Sequence, residues 1–155
     1  MGKVEMETGK PNEHGKRPCF LSRYDSITDV MTDHKLASLG DSFVNLIFSL
    51  YLSRRRGEPT GGRVNSWILA QAVRKAGLRE LLPSRLNRHE QADAAEALIV
   101  YAWLRGSISM DEAVSILESE ERPEEAFTKI LKVIRGRVRL YPSPSRLSST
   151  PSTPT

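Results

Sequence analysis

The chain has 155 residues, about the size of one domain, and its 23 Lys and Arg against 19 Asp and Glu give a formal net charge of +4. This mildly basic balance permits a nucleic-acid partner without requiring one. The single cysteine, Cys19, excludes an internal disulfide framework and a zinc site built from cysteines, and no apolar run approaches the roughly 20 residues of a membrane span. No apolar leader segment is visible, so we expect a soluble cytoplasmic protein without a membrane partner.

The two ends of the chain differ in composition from its middle. Residues 1–18 are polar with several glycines and prolines, and residues 141–155 contain four prolines among many serines and threonines. Such segments bury too little apolar surface to offset the entropy lost on ordering. We therefore predict disordered tails over 1–18 and 141–155, and one folded domain over 19–140.

The first predicted helix carries a stripe of apolar residues at three- and four-residue steps: Leu36, Leu39, Phe43, Leu46, Ile47 and Leu50. This spacing places the stripe on one face and predicts an amphipathic helix over 34–53, ended by three arginines at 54–56 and by Gly57. A second apolar pattern begins at Ile68 and predicts a helix that stops at Gly77.

Three further helices are predicted from their starts. Asn87 with Glu90 forms a capping-box pattern for a helix that reaches Leu104, and Ser109 with Glu112 forms the same pattern for a helix near 110–119. Pro123 suits the first turn of a last helix that runs to about 135. No segment alternates strictly between apolar and polar residues over more than a few positions. The sequence therefore predicts an all-α domain, a bundle of helices joined by short loops.

Charge alternates along the domain. Residues 25–51 contain four acids and one base, and residues 91–121 contain seven acids and one base. Residues 52–90 contain nine bases and three acids, and residues 122–139 contain six bases and two acids. These blocks are either ordinary solvated helix faces, or acids that gather a metal ion with bases that hold a polyanion around it.

Three acids do not fit an obvious solvent face. Asp41 interrupts the apolar stripe of the first helix, while Asp93 and Glu96 stand among alanines and share a helix face at i and i+3. Hard cations such as Mg²⁺ need oxygen ligands, which carboxylates on two facing helices can supply. The alternative is that these acids lie on helix surfaces or cap neighbouring groups.

Two segments that contain these acids resemble motifs of the ribonuclease III family. LASLGDSFV at 36–44 resembles the family's signature helix, usually ERLEFLGDAVL, and ADAAEALI at 92–99 resembles its second motif, ADxxEALIGA. The resemblance covers roughly 33–106, in the family's order. It implies an all-α endonuclease domain that forms a homodimer and cuts double-stranded or structured RNA with Mg²⁺ or Mn²⁺.

The resemblance also assigns metal ligands. Asp41, Asp93 and Glu96 fall on three of the family's four metal-site carboxylates, and we expect Asp41 and Glu96 to be the catalytic pair, with Asp93 in support. The fourth position, one turn before Asp41, holds Ala37, which cannot bind metal. The acid that opens the family's motif is replaced by His34.

Several other side chains are candidates for supporting roles. Asp33 could substitute for the missing acid or simply cap the first helix, and His89 could orient the site or lie on the surface. The candidates for contacts with RNA phosphates are Arg54, Arg55, Arg56, Arg63, Arg74, Lys75, Arg85 and Arg88, each of which could equally be solvated surface. The residues that follow the domain form only a short tail, which is similar to the minimal, single-domain members of the family.

Small residues beside both motifs indicate close helix packing, and the resemblance implies that the first helix contributes to a dimer interface. We expect Trp103 to lie in the core. Three functions remain open at this point. The first is a metal-dependent endoribonuclease, the second is a ribonuclease III-like RNA-binding or ribonucleoprotein module with impaired cleavage, and the third is an unrelated helical metal-binding or interaction protein.

Overall fold

A computed structural model of the protein describes residues 18–138, and within this range the chain forms helices and no strand. Six α-helices follow one another: α1 Ile27–Met31, α2 His34–Arg56, α3 Ser66–Lys75, α4 Arg88–Leu104, α5 Met110–Ser119 and α6 Pro123–Arg137. Two 3-10 turns, Cys19–Arg23 and Arg79–Leu81, complete the described elements. The all-α prediction is confirmed. The predicted tails lie outside the described residues, except for Pro18.

The helix ends show which capping predictions hold. Asn87 and Glu90 bond each other's backbone in a complete capping box at the start of α4. At the start of α5 the box is only half formed, because Ser109 accepts from the Glu112 backbone while the Glu112 carboxylate pairs with Arg137 at 2.7 Å. The predicted helix start at Ser109 is confirmed, but the Glu112 carboxylate does not complete the box, since the bidentate arginine offers it a stronger, charge-assisted partner.

α4 is the central helix of the domain. Ten of its 17 residues are buried, and it contacts α1, α2, α3 and α6. α5 packs against α2 and α6 to complete the bundle. Among the described residues only α2 is long and apolar enough to cross a membrane, but its buried side chains form part of the bundle's core. Core helices of this kind are apolar because they are covered by other helices.

α2 and α4 cross at a point of backbone contact. Gly40 is buried, and a Cβ atom added to it would lie 2.1 Å from the Glu96 carbonyl oxygen. The two helices run in the same direction at this crossing. His34 contacts Asp93 before it, and Phe43 contacts Trp103 after it. Because Asp41 follows Gly40 directly, this crossing brings Asp41 and Glu96 to the same place.

Trp103 does not lie in the core as expected. Its ring stacks on Phe43 with centroids 4.6 Å apart, but 37% of the residue is exposed. Leu39 and Leu46 flank Phe43 on the same stripe of α2, and they are 45% and 47% exposed. Helical spacing indicates an apolar face but does not say whether the chain itself covers that face. We call Leu39, Phe43 and Leu46 of α2, together with Trp103 of α4, the apolar face of α2.

Candidate active site

One helix face of α2 and one of α4 form opposite walls of a cleft of about 400 Å³. α2 contributes positions 34, 37, 38 and 41, and α4 contributes 89, 92, 93 and 96. Both sets follow the i, i+3, i+4, i+7 spacing of a single helix face. The remaining wall comes from Arg63 and Val64, which precede α3, and from Ser66, its first residue. Asp41, Asp93 and Glu96 therefore share one cleft.

The three carboxylates act on one another electrostatically. Burial, followed by the negative charges of Asp41 and Asp93, raises the pKa of Glu96 to about 8, while Arg63 opposes this rise. All three acids are half-buried, and the side chains of Asp41 and Asp93 are 45% and 42% exposed. A cation bound among these acids would reduce their mutual repulsion.

Each of the two aspartates has a neighbour within reach. Asn45 Nδ2 donates to Asp41 Oδ1 at 3.1 Å, and Arg63 Nη2 lies 3.7 Å from Asp41 Oδ2. On the opposite wall, His34 Nδ1 lies 3.8 Å from Asp93 Oδ2. Asp41 is thus oriented on one side by an amide and faced on the other by a guanidinium.

The donor set suits a hard cation that keeps much of its water. Among residues 18–138, no three His, Cys, Asp or Glu side chains already stand close enough together to hold a metal ion. Mg²⁺ is commonly bound through one or two carboxylates with the remaining positions filled by water and phosphate, so the open arrangement of Asp41, Asp93 and Glu96 fits that ion. Ala37 forms part of the cleft wall and offers no ligand.

The structure separates the candidate auxiliary residues. His34 and His89 both line the cleft. Asp33 does not, because its carboxylate caps α2 through the backbone N–H groups of Lys35 and Leu36 and accepts from the Tyr24 hydroxyl at 2.6 Å. These hydrogen bonds lower the pKa of Asp33 against the opposing effect of burial, which is the largest single contribution. Asp33 acts here as a helix cap.

Of the eight candidate RNA-binding cations, only Arg63 lines the cleft. Arg54 pairs with Asp111 and Glu118 at the far end of α2, and Arg55 donates to the Tyr51 hydroxyl. Arg74 and Lys75 are bonded to side chains of α4 and α6, namely Gln91 and Glu125. Arg56, Arg85 and Arg88 are exposed on the surface outside the cleft lining.

A larger cavity, of about 780 Å³, lies between the ends of α2 and α5. Its lining mixes Arg54 and Arg55 with Glu118, Glu120 and Glu121; Arg54 pairs with Glu118, and Glu120 pairs with Lys129 outside the lining. Size alone would select this cavity. The arrangement of acids, histidines and one arginine selects the smaller cleft as the candidate site.

A feature missed by the sequence analysis fixes the third wall of the cleft. Three polar residues of α2, four positions apart, bond every second residue of the following segment: Ser53 bonds Thr60, Ser49 bonds Gly62, and Asn45 bonds Val64. We call these contacts the α2 ladder. Its signal in the sequence is the run of polar residues at 41, 45, 49 and 53, which continues the face of Asp41 along the helix.

Comparison with known proteins agrees with the geometry. A family model described as Ribonuclease III matches residues 34–137, which runs from the first residue of α2 to the last residue of α6. The match covers more than half of the chain and contains every residue of the cleft. No curated protein matches the chain significantly.

Proposed function

The chain belongs to the ribonuclease III family, and from this premise we propose that it is a metal-dependent endoribonuclease that hydrolyses phosphodiester bonds in double-stranded or structured RNA. Membership identifies a ribonuclease III-like endoribonuclease domain with RNA as the substrate partner, and it excludes the unrelated helical protein considered above. The observation that supports the proposal most is the shared cleft of Asp41, Asp93 and Glu96, in which burial and then the two neighbouring acids raise the pKa of Glu96.

The residues of the cleft divide the work between two walls. Asp41 on α2 and Glu96 on α4 would hold a Mg²⁺ or Mn²⁺ ion, with Asp93 as the supporting acid. Such an ion activates water for in-line attack on a phosphodiester and neutralises charge on the phosphate and the leaving oxygen. Asn45 donates to one oxygen of Asp41, while the other oxygen lies 3.7 Å from the Arg63 guanidinium. The surface cations outside the cleft remain candidates for contacts along the RNA backbone.

The proposal is tested by incubating the purified full chain with a long RNA duplex. We expect cleavage in the presence of Mg²⁺ or Mn²⁺ and none after chelation, with activity restored when either metal is added back. Single-stranded RNA of the same sequence is the control for substrate structure. A protein that binds the duplex but never cuts it with either metal would contradict the enzyme assignment.

That contradictory outcome corresponds to the second candidate function, an RNA-binding or ribonucleoprotein module with impaired cleavage. The observation that favours it is Ala37, which lies in the cleft wall where the family carries a fourth carboxylate. Three acids still exceed the one or two carboxylates with which Mg²⁺ is commonly bound, so we place the endoribonuclease first.

We also propose that the protein is a homodimer joined through the apolar face of α2. Leu39, Leu46 and Trp103 expose apolar surface around the stacked Phe43 ring, and a second copy of the same face would cover it. Leu46→Glu should convert a dimer into a folded monomer, because a charge at the centre of such an interface is desolvated without a partner. Sedimentation measures the mass of the protein in solution. The control is Ser115→Glu, at an exposed position of α5. A monomeric wild type would contradict the dimer.

A further inference from the structure

We propose that Arg63 is a catalytic residue of the cleft, whose guanidinium leaves Asp41 and binds the non-bridging oxygens of the scissile phosphate when RNA enters. This inference rests on the proposed function. It assigns to one side chain a role that the family's carboxylates do not cover.

The backbone on both sides of Arg63 is fixed to α2. Gly62 N donates to Ser49 Oγ at 2.9 Å and Gly62 O accepts from the same hydroxyl at 3.1 Å, while Val64 N donates to Asn45 Oδ1 at 2.9 Å. Gly62 also lies flat against the helix, since an added Cβ would be 2.6 Å from Leu52 Cδ1. Arg63 therefore stands between two residues whose backbone groups are bonded to α2.

The α2 ladder also sets the direction in which Arg63 points. Residues 60, 62 and 64 are half-buried against α2, whereas residues 61, 63 and 65 are exposed. This alternation is that of extended chain, in which successive side chains point to opposite sides. The Arg63 side chain is consequently directed away from the core and is 81% exposed, yet its guanidinium still reaches the rim of the cleft.

The present contact of Arg63 is weak enough to be exchanged. Its Nη2 atom lies 3.7 Å from Asp41 Oδ2, which is beyond hydrogen-bonding distance, and exposed ion pairs of this kind contribute about 0–1 kcal/mol. A phosphodiester offers two oxygens that match the planar guanidinium fork, and such charge-assisted bonds are among the stronger ones in proteins. A phosphate at the cleft would therefore compete well with Asp41.

The charge of the cleft explains why such a cation is needed. When Glu96 is deprotonated to bind a metal ion, the three acids give the lining three negative charges, and Arg63 is the one permanently charged cation among the described lining residues. A phosphodiester adds another negative charge and is repelled unless positive charge faces it. A divalent ion offsets part of this excess, and the guanidinium supplies further positive charge on the side of the cleft formed by residues 63–66.

The test compares Arg63→Ala, Arg63→Lys and Arg122→Ala in single-turnover cleavage of an RNA duplex. Removal of a donor that stabilises transition-state charge typically costs 10²–10³-fold in rate, and we expect that loss for Arg63→Ala with only a small loss of duplex affinity. Arg63→Lys should be intermediate, because lysine keeps the charge but not the fork. Arg122→Ala removes one exposed arginine at the start of α6 and should stay within about twofold of wild type.

A second readout uses the metal alone. If Arg63 serves the phosphate, its removal takes a positive charge away from Asp41 and should tighten Mn²⁺ binding measured by calorimetry. If Arg63 only holds Asp41 in place, Mn²⁺ binding should weaken in Arg63→Ala, and the inference is overturned. It is also overturned if wild type cuts and Arg63→Ala cuts within threefold of it, a result that leaves the proposed function intact. A wild-type protein that never cuts would overturn both.

Discussion

Gly40→Ala is expected to lower the free energy of unfolding by about 1–3 kcal/mol, in the range of overpacked cores. At an ordinary helix position the same change stabilises a protein by up to about 1 kcal/mol, because alanine is the better helix former. Here the new Cβ would lie 2.1 Å from the Glu96 carbonyl oxygen. That atom belongs to the backbone of α4, so no change of side-chain rotamer relieves the overlap and the two helices must move apart.

The control is Gly136→Ala, in the last turn of α6. Gly136 is exposed, and a Cβ added there meets no atom within 4 Å, so we expect unchanged stability or a gain of up to about 1 kcal/mol. Urea unfolding of both variants measures the difference. Equal stabilities for Gly40→Ala and wild type would show that α2 and α4 are not in backbone contact. Cleavage by Gly40→Ala should also fall, since the displacement separates Asp41 from Glu96.

Glu96→Gln is the second change for which we expect a large effect, a loss of about 10²–10³-fold in cleavage rate, the typical cost of removing one group that stabilises transition-state charge. Glutamine keeps the shape of the side chain but removes the charge with which it would bind a metal ion, and metal binding at such sites requires the deprotonated ligand. Cleavage of the RNA duplex at saturating metal measures the loss. Glu121→Gln, at an exposed position before α6, is the matched control and should retain full activity. Comparable activities would remove Glu96 from the site.

The same variant has a separate effect on stability in the absence of metal. The pKa of Glu96 is raised to about 8 in the folded protein, so the folded state holds a proton that the unfolded state releases near pH 4.5. Its contribution to stability is therefore present below about pH 4.5 and is lost as the pH rises through 8. We expect the free energy of unfolding of the chelated protein to decline across this window, and Glu96→Gln to remove that part of the decline. An identical pH profile for wild type and variant would contradict the raised pKa.

The helices with long apolar stripes or strong caps could be predicted from the sequence. The start of α4 at Asn87 and the start of α6 at Pro123 were correct, because both depend on residues adjacent in the chain. α2 extends to Arg56 rather than ending at 53, since the arginines continue the helix to Gly57, which adopts φ 71°. α1 was missed, because five residues are too few to display a helical period.

The candidate site was predictable only where it coincided with a motif. Asp41, Asp93 and Glu96 stand at recognisable positions, and the structure places them on one cleft. The partners of the basic residues were not predictable, because they depend on which helices meet: Arg54 pairs with Glu118, 64 positions along the chain. The alternating charge blocks therefore serve two purposes, with some acids in the cleft and others in surface ion pairs.

Trp103 and Asn45 are two residues whose environment could not be predicted from the sequence. Trp103, an apolar residue beside a core motif, was expected to be buried, yet 37% of it is exposed. Asn45, a polar residue beside the apolar stripe, was assigned no role from the sequence, yet it bonds both Asp41 and Val64. Both depend on tertiary contacts that neither spacing nor composition records.

The α2 ladder makes the connection between α2 and α3 sensitive to length in one part and tolerant in another. Residues 57–59 precede the first bond at Thr60, so an inserted residue there can bulge outward without disturbing the bonded positions. An insertion between Gly62 and Arg63 is different, because the alternation has a period of two and residues 63–65 would exchange faces. The Arg63 guanidinium would then point toward α2 instead of the cleft. Such an insertion leaves every carboxylate in place but removes the positive charge that faces them.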